Sequence, residues 1–328
     1  MNTPPAVPAS SLPQGLRIAV LVPCHNEAAT VAKVVRDFAA QLPHASVHVL
    51  DNNSSDATAE RAREAGAQVQ PVASQGKGNV VRRGFADVEA DVYVLVDGDD
   101  TYDAGAAPAM VRRLVEEGLD MVVGARRDQQ QAAYRPGHRF GNVLLTRCAG
   151  LLFGRSFQDM LSGYRVFSRR YVKSFAAHAQ GFETETELAV HALQLRMPVV
   201  EVETAYGVRP HGSQSKLNTW RDGWRILMTI AKLFKSERPL LFFSLGFAIC
   251  ALSSLGLAMP LFETYVQTGL VPRFPTAILC VALMLLGFLL LACGLILDTV
   301  TQGRMEAKHL AYLAIPRLPG AVVRGGRQ

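Results

Sequence analysis

Several carboxylates follow one apolar run of this sequence. The run DVYVLV, residues 91–96, leads into DGDDTYD, which contains Asp97, Asp99, Asp100 and Asp103. Two carboxylates one residue apart at the end of a strand can present oxygens to one Mg²⁺ or Mn²⁺ whose other ligands are phosphate oxygens and water. Such a cation neutralises the charge that develops on a leaving diphosphate, which is Lewis-acid catalysis of group transfer. Asp103 is predicted instead to cap a helix, because Asp accepts hydrogen bonds from the free N–H groups of a first turn.

Three other kinds of site use similar residues. An EF-hand calcium loop does not fit, because its sixth position would be Tyr102 instead of glycine and its twelfth Pro108 instead of glutamate. The paired carboxylates of a glycosidase stay open, although the apolar and basic segments described below favour them less. The nucleotide loops of kinases, ATPases and dehydrogenases lose support, because QGKGNV (75–80) lacks the Walker pattern and no GxGxxG follows the first strand.

The elements that must position these carboxylates alternate between two patterns. Helical patterns separate the short apolar runs RIAVLV (17–22), VHVL (47–50), DVYVLV (91–96) and DMVVGA (120–125). This alternation predicts an α/β fold with a mostly parallel sheet covered by helices on both faces. Ligands of such sheets bind beyond the carboxyl ends of the strands. We therefore expect one edge of the sheet to collect the clusters PCHNE (23–27), DNNSSD (51–56) and DGDDTYD (97–103).

The bulk composition limits the class of protein. The chain has 328 residues, 49% hydrophobic and 19% charged, which suits one or two domains with a packed core. Its net charge of +6 favours anionic partners such as nucleic acid, phospholipid headgroups or phosphorylated small molecules. The five cysteines lack CxxC spacing, which indicates reduced thiols. Residues 1–15 have neither the basic nor the apolar region of a signal peptide and are predicted to be a flexible lead-in.

The last third of the chain is predicted to enter a membrane. Residues 240–262 and 276–297 carry no charge, and each is long enough to cross a hydrocarbon layer of about 30 Å. Their short connection makes them a hairpin within residues 239–300, and basic residues flank its outer ends. The positive-inside rule then places the N-terminal domain and the basic tail, residues 301–328, in the cytoplasm. Residues 218–238 set Trp and basic side chains beside an apolar stripe, which predicts an amphipathic interfacial helix.

Seven short motifs carry a resemblance to a known family. In order, they are VPCHNE (22–27), DNNSSD (51–56), GKG (76–78), DGDD (97–100), DMLSGYRVFSR (159–169), GFETETEL (181–188) and RPHGSQSKL (209–217). The sequence resembles the inverting family 2 glycosyltransferases of the glycosyltransferase-A fold. More narrowly, it resembles the polyprenyl-phosphate glycosyltransferases, the dolichyl-phosphate-mannose-synthase-like group. The resemblance implies that residues 16–217 form the catalytic domain.

This resemblance implies an activity and its partners. The activity is a metal-dependent, inverting transfer of a single sugar for glycan assembly, with Mg²⁺ or Mn²⁺ as cofactor. The partners are a nucleotide-diphosphate sugar, a UDP-sugar by preference, a polyprenyl phosphate such as undecaprenyl phosphate, and the membrane, without nucleic acid. The implied location is the inner (plasma) membrane, with the catalytic domain in the cytoplasm. A homo-oligomer is left open, as is the identity of the sugar.

The resemblance also assigns roles to individual residues. The residues implied to bind the donor nucleotide are Pro23, Asn26, Glu27, Asp51, Lys77 and Asp97. The residues implied to hold the metal are Asp97 and Asp99. The residues implied to bind the acceptor phosphate are Arg126, Arg139, Asn142, Arg209, Ser213, Ser215 and Lys216. The implied catalytic residues are Asp99, Arg209, Lys216 and Glu185.

Some alternatives stay open at the level of sequence. Glu183 and Glu185 lie where related transferases with hydroxyl acceptors carry an acidic base, so one rival is a transferase to a lipid or saccharide hydroxyl with Glu185 as base. Another rival is a non-catalytic membrane subunit that binds a nucleotide sugar. Asn52, Asn53 and Ser54 suit turn chemistry as well as ligand binding. Asp100 has no assigned role.

Overall fold

A computed structural model provides the three-dimensional structure of this chain. It describes residues 15–128, 157–176, 184–207 and 234–318, together with residues 150, 228, 231 and 232. Two compact units make up the chain, one within residues 1–223 and 308–328 and the other within residues 224–307.

The first unit is built from alternating strands and helices. Its strands are β1 (Ile18–Cys24), β2 (Ala45–Asp51), β3 (Gln68–Pro71), β4 (Val92–Leu95), β5 (Met121–Asp128), β6 (Arg165–Ser168) and β7 (Val199–Tyr206). Its helices are α1 (Val31–Gln41), α2 (Thr58–Glu64), α3 (Lys77–Asp87), α4 (Ala107–Glu116), α5 (Arg169–Ser174) and α6 (Thr184–Gln194). The four apolar runs named from the sequence are all strands, as predicted.

The strands form one sheet in the order β3-β2-β1-β4-β6-β5-β7. Its strands run parallel except β6, which is antiparallel to both β4 and β5. The mostly parallel sheet predicted from the sequence is therefore confirmed. Because β6 runs the opposite way, the loop that precedes it meets the carboxyl ends of the other strands. This single reversal brings residues 159–164 to the edge where the acidic clusters lie.

Both faces of the sheet are covered, which explains why the central strands are apolar without alternation. Leu21 and Val22 in β1 are fully buried, although neighbouring side chains in a strand point to opposite faces. Helix α1 buries Val31, Val34, Val35 and Phe38 on one face of the sheet, at the three-and-four spacing of an amphipathic helix. Full burial of each such side chain contributes about 1.5–3 kcal/mol to folding. This packing stabilises the sheet from whose edge the loops extend.

Two helices are long and apolar enough to cross a membrane, α7 (Pro239–Thr268) and α8 (Phe274–Leu313), and the second unit contains α7 and most of α8. Most of their large apolar side chains are exposed, as expected of a surface that faces lipid. The helices pack closely at Gly294, where an added Cβ would lie 3.0 Å from the Cβ of Phe243. Ser254 Oγ donates a hydrogen bond to the carbonyl of Cys280 at 2.8 Å. The predicted pair of apolar helices is thus present.

The helices extend beyond the spans predicted from the sequence. Helix α7 begins near the predicted start at residue 240 but continues past residue 262, and α8 continues past residue 297 to Leu313. The predicted spans end where charged residues begin, but a helix continues as long as its backbone hydrogen bonds do. The segment TVTQGRMEAKHLAYL (299–313) contains no proline to interrupt those bonds, so α8 continues through it. The predicted tail, residues 301–328, therefore begins inside a helix.

The end of α8 and the residues after it belong to the first unit. Tyr312 Oη donates a hydrogen bond to Asp120 Oδ2 at 2.7 Å, and Arg170 Nε donates one to the carbonyl of Ile315 at 2.9 Å. Leu318 packs against the core of the sheet. The predicted interfacial helix, residues 218–238, lies mostly outside the described residues, and its described positions 228, 231, 232 and 234–237 are helical.

Candidate active site

The acidic strand ends converge at the carboxyl edge of the sheet. Cys24, the last residue of β1, has a buried thiol whose pKa is raised well above its ordinary value, first by burial and then by nearby carboxylates. Those carboxylates belong to Glu27, Asp51, Asp97 and Asp99. Three different strand ends therefore supply negative charge to one small region. The juxtaposition predicted from the parallel sheet is present.

The two carboxylates of the predicted metal pair have different surroundings. Asp99 is only 3% exposed, and its Oδ1 accepts hydrogen bonds from the hydroxyl and the backbone N–H of Thr101, at 2.6 and 3.3 Å. Asp97 is more open, with 27% of its side chain exposed. Of the two, Asp97 is the more accessible to a ligand from solution, whereas Asp99 is fixed by the turn that follows it.

The remaining acids of DGDDTYD have structural partners. Asp100 has a φ of 58°, in the left-handed region that Asp tolerates, and its Oδ1 lies 2.6 Å from the ammonium of Lys33 on α1. Asp103 Oδ1 accepts a hydrogen bond from Gly105 N at 2.8 Å, which confirms the predicted cap. Asp100 thus ties the acidic turn to α1, a role that the sequence did not reveal.

Lys77 joins two carboxylates that are distant in sequence. Its Nζ lies 2.5 Å from Asp97 Oδ1 and 2.5 Å from Glu185 Oε1. Burial alone would lower the pKa of Lys77, but the adjacent carboxylates of Asp97 and Glu185 outweigh it and raise that pKa above its ordinary value. Glu185 is itself 6% exposed, and its Oε2 has no hydrogen-bond partner among the described residues. The ammonium is therefore held charged between Asp97 and Glu185.

Gly163, in the loop before β6, lies directly against Asp97. A Cβ added at Gly163 would collide with Asp97 Oδ2. Gly163 N donates a hydrogen bond to Tyr102 Oη at 2.9 Å, and burial raises the pKa of Tyr102 above its ordinary value. Gly163 and Tyr102 were not among the predicted site residues. The available signal was the motif SGYR, in which a glycine permits close approach of the backbone.

Asn52 positions the loop that carries Lys77. Its Nδ2 donates hydrogen bonds to the carbonyls of Val72 and Ser74 at 3.0 and 2.9 Å, and its Oδ1 accepts one from Gly76 N at 2.7 Å. Gly76 has a φ of 118°, which a residue with a side chain rarely adopts. The turn interpretation of Asn52 is confirmed, because its side chain is buried and fully engaged with backbone groups.

The predicted donor-binding segment 23–27 is joined to the loop after β2. Asn26 Oδ1 accepts a hydrogen bond from Ser55 N at 2.8 Å, and Glu27 N donates one to Thr58 Oγ1 at 2.9 Å. Asp56 Oδ1 accepts a hydrogen bond from Thr58 N, the first residue of α2, at 3.1 Å. Pro23 lies within β1. Nucleotide contacts of these residues stay a prediction.

Arg126, predicted to bind the acceptor phosphate, is held by a carboxylate. Its Nε and Nη2 donate hydrogen bonds to the two oxygens of Asp159 at 2.7 and 2.8 Å. Burial raises the pKa of Asp159, but the bonds from Arg126 outweigh it, so that pKa is lower than usual. Arg165 is fully buried and donates to the carbonyl of Met160, which makes it structural. The other predicted acceptor residues, Arg139, Asn142, Arg209, Ser213, Ser215 and Lys216, lie outside the described residues.

The donor set at this edge fits a divalent cation that is shared with a diphosphate. No group of three or more His, Cys, Asp or Glu side chains suited to a metal occurs among the described residues, so a closed all-protein site is absent from that part of the chain. Mg²⁺ commonly takes only one or two carboxylates and completes its shell with substrate phosphates and water. Asp97 and Asp99 match that requirement.

A mostly parallel sheet with an acidic loop at its carboxyl edge is the arrangement of the glycosyltransferase-A fold. Residues 19–175 match the Glycosyl transferase family 2 profile. Glycosyltransferase AglJ of Haloferax volcanii is 35% identical over 292 residues, which are 88% of this chain and 95% of that protein. The chain belongs to glycosyl transferase family 2.

Two further similarities concern substrates and fold. A dolichyl-phosphate hexose transferase of Haloferax volcanii is 27% identical over 221 residues, covering 67% of this chain and 95% of that protein. Glucosyl-3-phosphoglycerate synthase from Mycobacterium tuberculosis, in complex with Mn²⁺, UDP-glucose and phosphoglyceric acid, superimposes with a TM-score of 0.54 and 25% identity. That alignment covers 67% of this chain and 79% of the synthase chain.

Proposed function

We propose that this protein transfers a single sugar from a UDP-sugar to a polyprenyl phosphate at the cytoplasmic face of the plasma membrane, with inversion, for glycan assembly. The observation that carries the proposal is the convergence of Asp51, Asp97 and Asp99 around Cys24, with the Lys77 ammonium beside Asp97. This edge offers both carboxylates for a cation and a positive group for phosphate. The donor diphosphate requires both kinds of group.

The donor base has a candidate partner in Asp51. Its Oδ1 is buried and has no hydrogen-bond partner among the described residues. A buried acceptor without a partner is costly, so a ligand N–H that reaches it contributes to binding. Uracil carries such an N–H. The Mycobacterium tuberculosis synthase, whose crystals contained UDP-glucose and Mn²⁺, supports a uridine donor and a divalent cation for this chain as well.

The acceptor chemistry follows from a lipid phosphate. A phosphate monoester has a second pKa near 6, so its oxygen is already ionised at neutral pH and attacks the anomeric carbon without a strong base. In-line attack with departure of UDP inverts the configuration at that carbon. When bound, Mg²⁺ or Mn²⁺ supplies Lewis-acid stabilisation of the leaving diphosphate. Asp97 and Asp99 would hold it, while Lys77 and the basic segment 209–216 keep the two anions together.

The lipid acceptor is supported from two directions. The relative from Haloferax volcanii is named a dolichyl-phosphate hexose transferase. Helices α7 and α8 are long and apolar enough to anchor the chain in the membrane that contains such lipids. The basic residues that flank them favour a cytoplasmic catalytic unit. This arrangement keeps the enzyme beside an acceptor that cannot leave the bilayer surface.

A second candidate is transfer to a lipid or saccharide hydroxyl with Glu185 as the general base. One observation favours it: Glu185 Oε2 is buried without a hydrogen-bond partner among the described residues. A general base needs such an oxygen to accept the proton of the acceptor hydroxyl. The other oxygen, Oε1, is engaged by Lys77. Substitutions separate the two candidates. Arg209→Ala and Lys216→Ala abolish transfer to a lipid phosphate, whereas Glu185→Gln has the larger effect if the acceptor is a hydroxyl.

The direct test uses membranes that contain the full chain. They are incubated with labelled nucleotide sugars and undecaprenyl phosphate, with and without EDTA, and the lipid is extracted. We expect one UDP-sugar to yield a labelled lipid phosphate sugar, and EDTA to prevent it. An equal yield of labelled lipid with and without EDTA would contradict the metal-dependent mechanism. If no donor yields a labelled lipid, the result would favour the alternative that the protein is a non-catalytic subunit that binds a nucleotide sugar.

A further inference from the structure

Lys77 occupies an unusual position for a cation in an acidic site. Only 18% of its side chain is exposed, and its ammonium lies 2.5 Å from both Asp97 Oδ1 and Glu185 Oε1. An ammonium carries three N–H donors, so it can serve both carboxylates at once. The three groups together carry one negative charge. The arrangement leaves Asp97 neutralised by a side chain before any ligand is present.

A divalent cation and this ammonium compete for the same carboxylate. Like charges a few ångströms apart repel by several kcal/mol where water is partly excluded. Asp97 cannot turn away from the ammonium freely, because its Oδ2 lies against Gly163. The Lys side chain can move more easily, since its ammonium ends a flexible four-carbon stem. The mobile partner of the pair is therefore Lys77.

Glu185 offers Lys77 a second position. Its carboxylate is 6% exposed, and Oε2 has no hydrogen-bond partner among the described residues, so it can accept a further N–H from the ammonium. We propose that Lys77 is a positioning residue shared by two carboxylates: it holds Asp97 until a divalent cation binds there, and Glu185 then retains the ammonium close to the donor phosphates. This inference rests on the proposed role of Asp97 as a metal ligand.

The proposal predicts opposite effects of two substitutions on cation binding. Lys77→Met removes the competing charge, so Mn²⁺ without nucleotide should bind about tenfold more tightly. Glu185→Gln removes the second position of the ammonium, so Mn²⁺ should bind about tenfold more weakly. A destabilised site would instead weaken binding in both variants. The control is Arg83→Met, which removes an exposed cation that pairs with Asp87 on α3 and should leave Mn²⁺ affinity unchanged.

The measurement is electron paramagnetic resonance of free Mn²⁺ titrated with the full chain in detergent, with and without UDP. In a Lys77→Met background, Glu185→Gln should have little further effect, because Glu185 acts through Lys77. Equal Mn²⁺ affinity of Lys77→Met and the unaltered protein would overturn the inference, and so would an undiminished effect of Glu185→Gln in the double variant. If Lys77→Met does not fold, unchanged affinity in Glu185→Gln alone overturns it. Failure of the unaltered protein to bind Mn²⁺ even with UDP would instead refute the proposed metal dependence.

Discussion

At the scale of residues, the site is defined by contacts to a single carboxylate. Asp97 is held on one side by the ammonium of Lys77 and on the other by the backbone of Gly163. Neither contact consists of apolar packing, so both fix the direction of the carboxylate more than they stabilise the fold. The position of Asp97 is therefore sensitive to changes as small as one methyl group.

Gly163→Ala tests this sensitivity. The new Cβ would collide with Asp97 Oδ2, so we expect sugar transfer to fall by about tenfold or more, since a small misplacement of a reacting group is costly. Transfer is measured in membranes, together with the midpoint of thermal unfolding. Gly256→Ala is the matched control, because its added Cβ has no atom within 4 Å. Full activity of Gly163→Ala would show that Asp97 can shift without consequence.

At the scale of elements, loops that are distant in sequence hold one another in place. Asn52, at the end of β2, fixes the loop before α3 by three hydrogen bonds to its backbone. The antiparallel strand β6 brings the preceding loop to the same edge. Helix α6 supplies Glu185 from its first turn and buries His191 in its last. The charged side chains of the site thus come from several elements, and contacts among those elements fix their positions.

Asn52→Ala would remove the support of the Lys77 loop. The backbone groups of Val72, Ser74 and Gly76 would lose their partner, at a cost of about 1–3 kcal/mol for buried groups. We expect a lower free energy of unfolding and a higher KM for the donor, because the loop carries Lys77. The control is Gln302→Ala, which removes an exposed side-chain bond to Asp298 on α8. Donor KM values equal to those of the unaltered protein would separate this loop from donor binding.

We expect buried His191 to make the first unit less stable in acid. Burial, followed by the charge of Lys308, lowers the pKa of His191 from 6.5 to about 3. Since the unfolded chain takes up this proton at higher pH than the folded protein, the free energy of unfolding falls as the pH drops below about 6.5. Between about pH 6.5 and pH 5 the loss is about 2 kcal/mol.

Replacement of His191 by a group that does not titrate should flatten this dependence. The thermal midpoint of His191→Gln should change less than that of the unaltered protein between about pH 6.5 and pH 5. His309→Gln removes an exposed histidine and should preserve the original slope. An unchanged slope in His191→Gln would assign the acid sensitivity to other groups.

At the scale of the whole molecule, the first compact unit is discontinuous in sequence. The first unit takes residues from both sides of the apolar hairpin. Tyr312 contributes to it through Asp120, and the guanidinium of Arg170 lies 4.8 Å from the centre of the Tyr312 ring. Cation–π contacts of this kind contribute about 0.5–2 kcal/mol. The segment after the hairpin is therefore part of the first unit.

Tyr312→Phe tests this contribution. It removes the hydrogen bond to Asp120 and the one accepted from Arg170 Nη1 but keeps the ring beside Arg170, so we expect a loss of about 1–2 kcal/mol and a thermal midpoint lower by a few degrees. Tyr265→Phe, at an exposed position of α7, serves as the control. Equal midpoints for Tyr312→Phe and the unaltered protein would mean that the segment does not stabilise the unit.

The sequence predicted the features that follow from periodicity and from the strand-end rule. The sheet, the convergence of Asp51 and Asp97, and the cap at Asp103 needed only local patterns. The pairing of Lys33 with Asp100 could not be foreseen, because it depends on how α1 packs beside the turn. The bridge from Lys77 to Glu185 was missed for the same reason. Docking of residues 308–318 was missed because the segment was assigned to a basic tail on the strength of residues such as Lys308 and Arg317, although most of its residues are apolar.

The discontinuous first unit imposes an order on the making of this protein. Chains emerge from the ribosome beginning at the N-terminus, so Tyr312 and Leu318 become available only after both apolar helices have been synthesised. A nascent chain that has not reached residue 308 lacks these contacts with the sheet. Synthesis of the two apolar helices thus precedes completion of the first unit.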